Sequence, residues 1–256
     1  SARGRGRPRR AGSNRLTMSN HQTLNNSDHA ALRVHTGAGA QFGDAAMAAL
    51  VVPNEFRQVQ VHYPIVFRRD NDGGRFNALA LLGFENGENL FLEGSEWDAA
   101  YRPLSMAIQP FLVGRPVDES HEPTVHIDMD HPRISSDGEG MRLFDEFGRP
   151  TPYVEQISAQ LGDLHVGYED SATFIAALER YELLEPFSFE VTLATGAKNT
   201  LVGFHMINEG KLQQLDGDAL GALHAGGHLM PIFMVVASLS NLSELVERKN
   251  RREARG

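Results

Sequence analysis

Two pairs of short alternating runs, each closing on a glycine-bearing turn, constrain this chain more than any other feature. The first pair, Tyr63–Arg69 and Phe76–Phe84, is rich in β-branched and aromatic residues and flanks Asp70-Asn71-Asp72-Gly73-Gly74. In the second, Phe187, Phe189, Val191 and Leu193 share one face of a strand, and Thr195-Gly196 turns the chain into Leu201–Ile207. Period-two alternation around such turns predicts antiparallel hairpins with one buried face. Between the pairs the period changes. Thr151 as cap and Pro152 at the first helical position start a helix with Tyr153, Ile157, Leu161 and Leu164 on one face. A second helix is expected over Ser171–Leu184, carrying Phe174, Ile175, Leu178, Tyr181 and Leu184 and ending at Pro186. Gly162 and Gly167 fall between the two, which predicts an antiparallel helix pair. The expected fold class is therefore α+β. A β-meander with hairpins fills the first half, including a turn at Glu85-Asn86-Gly87-Glu88. The helix pair, the second hairpin and C-terminal helices fill the second half: Lys211–Leu223 up to Gly226-Gly227, then His228–Leu239 and Asn241–Arg252.

At 256 residues and 41% apolar content, one domain can bury a sufficient core without covalent staples. No cysteine is present, so disulfides and thiolate metal sites or nucleophiles are excluded. Residues 1–17 hold six arginines (Arg3, Arg5, Arg7, Arg9, Arg10 and Arg15) and no acid, and read as a disordered basic tail ahead of a start at Met18. Setting those six aside leaves 18 basic against 33 acidic residues, a net charge of −15. A body this acidic repels phosphate backbones, which argues against nucleic acid as a partner of the folded part. Residues 18–246 read as one domain, with a polar lead-in over 18–40 and an acidic, proline-bounded joint at 116–123; 247–256 read as a charged tail. Arg9-Arg10 lacks the apolar segment of a twin-arginine export signal. The most apolar run, Leu229–Leu239, has 11 residues, against the ~20 needed to span a bilayer. No transmembrane segment is expected, and the location is expected to be cytoplasmic or peripheral to the inner membrane. Oligomers are compatible with all of this.

Chemistry, if there is any, is concentrated in Thr124–Phe144. Alternation places His126 and Asp128 on one strand face, about 6.5–7 Å apart at their backbones. With His205 from the later hairpin, or His224 or His228, they would form the two-His-one-carboxylate set of an Fe(II) enzyme. Asp128 and Asp130 would also serve as paired carboxylates, or pair with Arg133 as a structural anchor. The anchor is the simpler reading, and it leaves no catalytic residue and no cofactor. Trp97 and Tyr101, with Phe111, are candidates for a surface that binds a ligand or a protein partner, to which Asp128, Asp130 and Arg133 would contribute, although such aromatics more often serve as core or subunit contacts. Asp70–Gly74 starts like a calcium loop, but the sixth and twelfth positions hold Arg75 and Leu81 where glycine and glutamate are required. The G-x-S-x-G elbow, the P-loop and G-x-G-x-x-G are absent.

Several stretches together resemble the SapC family of bacterial proteins. They are Tyr63-Pro64-Ile65-Val66-Phe67, Ala80-Leu81-Leu82-Gly83-Phe84, Glu88-Asn89-Leu90-Phe91, Trp97-Asp98 before Tyr101 and Pro103, and Gln109-Pro110-Phe111. The order continues through Ile127-Asp128, Pro132-Arg133-Ile134, Leu143-Phe144-Asp145, Leu184-Glu185-Pro186, Val191-Thr192-Leu193 and Leu239-Ser240-Asn241-Leu242. The resemblance runs from about Met18 to Leu245. It implies an accessory or binding role in a surface-layer or envelope uptake system, since related genes sit beside TonB-dependent receptors and halogenase-like flavoproteins. It supplies no catalytic residues. The family pattern over the central stretch is Asp-x-Asp followed by Pro-Arg, and His126 stands outside it.

Overall fold

Both predicted hairpins form, and they form within one sheet. The computed structural model describes residues 20–70, 74–114 and 124–255. The basic tail, the 116–123 joint and the tip of the first hairpin at 71–73 lie outside the described residues.

In chain order the elements of the first part are β1 (His21–Thr23), β2 (Arg33–Val34), β3 (Ala48–Leu50), α1 (Phe56–Val59), β4 (Ile65–Arg69), β5 (Phe76–Leu81), β6 (Leu92–Glu93), β7 (Glu96–Trp97), α2 (Leu104–Ala107) and β8 (Phe111–Gly114). They continue as β9 (Thr124–Asp128), β10 (Met141–Arg142), α3 (Pro152–Arg180), β11 (Leu184–Thr192), β12 (Lys198–Ile207), α4 (Glu209–Gln213), α5 (Gly217–Ala225), α6 (Leu229–Ser238) and α7 (Asn241–Glu253). The mixture of helices and antiparallel strands is the expected α+β class. The first hairpin pairs Ile65 with Ala80 through Arg69 with Phe76, and the second pairs Leu184 with Ile207 through Thr192 with Lys198. His205 lies opposite Phe67, which joins the hairpins into a five-stranded sheet of order β11-β12-β4-β5-β3. The two halves of the sequence therefore share one sheet and one main core, in which Phe56, Phe67, Leu81, Phe174, Ile207 and Ile232 meet. A smaller sheet, β1-β9-β8, covers a second core built on Val34, Phe111, Ile127, Leu143 and Ile157.

The expected helix pair is instead one helix, α3, of 29 residues. Its buried positions Val154, Ile157, Leu161, Leu164 and Gly167 step by three or four residues, and Phe174, seven further on, and Leu178 continue the same face past the supposed break. Gly167 is a point of close packing and not a helix end: a Cβ there would lie 2.6 Å from Val52 Cγ2 and 2.7 Å from Asn54 Oδ1. α3 spans both cores, with Val154–Leu164 in the smaller one and Phe174–Leu178 in the larger.

The polar lead-in is tied into the fold, because β1 pairs with β9, β2 pairs with β10, and His29, Val34 and Ala38 are buried. The expected helix Asn241–Arg252 forms as α7 and carries the charged residues from 247 to Glu253; Leu245 and Lys249 are buried on it. Lys249 tolerates burial because Glu88 and Glu85 receive its ammonium at 2.7 and 3.2 Å. By length and composition Leu229–Glu253 would suffice to cross a membrane. Here it folds as two helices that bury Ile232, Val235, Ser238 and Leu245.

Candidate functional site

Arg133 follows the His131-Pro132 turn at the end of β9. The turn closes through Ile134 N–H to the His131 carbonyl at 2.9 Å and aims the arginine inward, leaving it 1% exposed. Its partner is neither Asp128 nor Asp130, as expected, but Asp44. Arg133 Nη2 donates to both Asp44 oxygens at 2.9 and 2.8 Å, and Nη1 donates to the carbonyls of His35 and Gly37 at 2.9 and 2.7 Å. Gly39 N–H and Arg102 donate to the same carboxylate. Asp128 instead accepts from Asp130 N–H at 3.1 Å, and Asp130 is exposed. Two guanidinium groups thus converge on one buried carboxylate, and the Nε atoms of both lack a partner among the described residues. Burial pulls the Arg102 pKa down and the Arg133 charge adds to the shift, while Asp44 opposes it.

Trp97 and Tyr101 belong to a chain of hydrogen bonds running inward. Trp97 Nε1 donates to the Tyr63 hydroxyl at 2.8 Å, Tyr63 donates to the Tyr101 carbonyl, and the Tyr101 hydroxyl donates to Glu55 at 2.7 Å. Glu55 also accepts from Val52 and Leu104 N–H at 3.1 and 3.0 Å. Burial pushes the Glu55 carboxyl above its ordinary range despite these bonds. The Arg102 guanidinium lies 5.2 Å from the Trp97 ring centre, which links this chain to the Asp44 cluster.

The residues of the iron reading are not brought together. His126 Nε2 lies between the hydroxyls of Thr23 and Thr124 at 3.2 and 3.1 Å. His205 is in the other sheet, its ring 4.8 Å from that of Phe76, and His228 precedes α6 against Phe174. Burial and the charge of Arg69 hold the His205 pKa low. Among the described residues no three His, Cys, Asp or Glu side chains are placed to hold a metal ion.

The site that the sequence did not point to is a groove of about 530 Å³ between α7 and the β6–β7 hairpin. Leu90, Leu92, Glu93, Gly94 and Asp98 form one side, and Arg248, Arg251, Arg252 and Arg255 the other. Arg248 and Arg252 follow i, i+4 spacing and so share one side of α7, and Arg255 follows in the turn just past its end. That spacing is legible in the sequence of the expected C-terminal helix, but nothing local shows which segment the arginines face. Arg248 is fixed by Asp98 at 2.6 Å and by the Phe91 face, 4.4 Å from its guanidinium carbon. Arg251 pairs with Glu244 at 2.9 Å, and Arg255 with Glu93 at 3.1 Å. Arg252 differs from its neighbours. Its Nη1 and Nη2 donate to the carbonyls of Asn89 and Leu92 at 2.9 and 2.8 Å, and it has no carboxylate partner among the described residues. Lys249 holds this face of α7 in place against the turn at Glu85–Glu88. Burial would lower its pKa, but its hydrogen bonds to Glu88 and Glu85 leave it raised.

A family model described as SapC matches residues 24–245, which include the β6–β7 side of the groove and end before Arg248. Neither the comparison with curated proteins nor the comparison with solved structures found a match.

Proposed function

The chain belongs to the SapC family, and we propose that it is a non-catalytic accessory protein that binds an anionic partner or ligand for a cell-envelope uptake or surface-protein system. The observation that carries this reading is the groove beside α7, with four arginines and one uncompensated positive charge at Arg252. Guanidinium forks held in advance by carbonyls, a carboxylate and an aromatic face are suited to recognising carboxylate or phosphate groups. The volume lies within the range of small-molecule sites, about 300–1,000 Å³. Residues 18–256 carry a net charge of −15, so among the described residues the groove is a local exception that favours an anion. Of the side chains expected to do chemistry, His126 lies between two threonines and Asp128 accepts from the Asp130 N–H, and the expected anchor Arg133 is held by Asp44. The envelope setting rests on family membership, and fits a protein on the cytoplasmic side or peripheral to the inner membrane.

Calorimetric titration of the full chain with citrate and with an acidic peptide tests the binding role. Saturable binding that weakens between about 50 and 200 mM salt and is lost in Arg248→Ser/Arg252→Ser supports it. Absence of binding by either anion at low salt contradicts it. Fractionation of the native host tests the setting: recovery with inner-membrane or receptor complexes supports it, and recovery wholly as free protein contradicts it.

A further inference from the structure

Resting on the reading that the α7 groove takes an anion, we infer that its ligand is a phosphate monoester, a phosphoryl dianion carried on a small organic body. Arg252 is the centre of the argument. Two of its nitrogens are held by the carbonyls of Asn89 and Leu92, so the guanidinium is positioned, yet no carboxylate among the described residues balances its charge. Arg248, one turn earlier, is held in place by Asp98 and by the Phe91 ring. Arg255, three residues later, pairs with Glu93, and both side chains are mostly exposed, at 67% and 54%. A pair so open to water is readily exchanged for a better acceptor. A single carboxylate offers two oxygens and one charge, which one guanidinium fork satisfies. A phosphate monoester carries roughly −1.5 to −2 near neutral pH and presents three terminal oxygens, which suits three forks gathered at one groove by the end of α7 and the turn that follows it. The groove's 530 Å³ exceeds the needs of bare phosphate, and Leu90 and Leu92 offer apolar surface to the remainder. Basic residues in a last helical turn also suit the negative end of the helix dipole. That role asks only for charge near the helix end, and not for the bonds that tie Arg252 to another segment.

The test titrates glycerol 3-phosphate, malate, and phosphatidylcholine vesicles with or without phosphatidate into the full chain. Arg252→Lys and Arg255→Ser are examined in the same way, and the thermal midpoint of each variant is recorded. The expected result is saturable binding of glycerol 3-phosphate at least about tenfold tighter than malate. Arg252→Lys, which keeps the charge and loses the fork, weakens it about tenfold, and the exposed Arg255→Ser weakens it severalfold with an unchanged midpoint. Tighter binding to phosphatidate vesicles than to glycerol 3-phosphate assigns the phosphoryl group to a lipid headgroup, and the reverse order assigns it to a soluble ligand. Equal or tighter binding of malate, or unchanged affinity in both variants, overturns the phosphoryl inference while any anion binding that remains leaves the proposed role standing. Failure of every probe to bind overturns both.

Discussion

The Arg133 guanidinium is buried against the carboxylate of Asp44, 89 residues away in the chain. Removing one partner from a buried ion pair leaves a charge without compensation. Arg133→Ala is therefore expected to cost about 3–5 kcal/mol in chemical denaturation. Asp130→Ala, at an exposed side chain, is expected to stay within about 0.5 kcal/mol. Comparable losses in the two variants would refute the assignment of Asp44 as the partner. The anchoring role of Arg133 is legible in Asp-x-Asp followed by Pro-Arg at a strand end; its partner is not, because nothing local ranks Asp44 above the adjacent Asp128 and Asp130. Glu55 gives a pH dependence of known sign. Its folded-state pKa stands above the ordinary 4.5, because burial opposes its charge. The folded chain thus binds this proton more tightly than the unfolded chain. The stability it contributes is fully present below 4.5 and is lost as pH rises through the folded-state value. Tyr101→Phe removes a hydrogen bond that favours the ionised form, so denaturation across a pH series should show the loss extending to higher pH.

At the scale of elements, the hairpins were legible because their period of two and their turn residues agree. The expected helix pair is one helix because the apolar spacing runs through Gly162 and Gly167, and neither glycine breaks it. The two glycines make opposite predictions. A Cβ at Gly162 meets nothing within 4 Å, so Gly162→Ala should raise stability by about 0.5–1 kcal/mol through helix propensity. Gly167→Ala drives a methyl into Val52 and Asn54 and should lower stability by about 1–3 kcal/mol. If thermal denaturation showed both substitutions to be stabilising, α3 would not pack as closely against Val52 as described. The i, i+4, i+7 spacing of Arg248, Arg252 and Arg255, which runs past the end of α7, is present in the sequence. Its meaning depends on Lys249 being clamped by Glu85 and Glu88, a contact across more than 160 residues.

Across the whole molecule, β12 lies against β4 and α3 crosses both cores, so neither half of the chain completes a core alone. This predicts one cooperative unfolding transition. The far-ultraviolet signal of the helices and the near-ultraviolet signal of Trp97 should give the same midpoint in urea. Two separated midpoints would mean that the cores fold independently. The shared scaffold also fixes α7 against the β6–β7 hairpin and so sets the spacing of the arginines that face the groove. Binding at that place is most directly followed through the side-chain Nε–Hε resonances of the arginines while glycerol 3-phosphate is titrated into the full chain. Arg248, Arg252 and Arg255 should shift together and saturate at one dissociation constant, while Arg102 and Arg133 stay unmoved in their buried cluster. Saturable shifts confined to other arginines, or no shift in those three, would contradict a binding role for the groove.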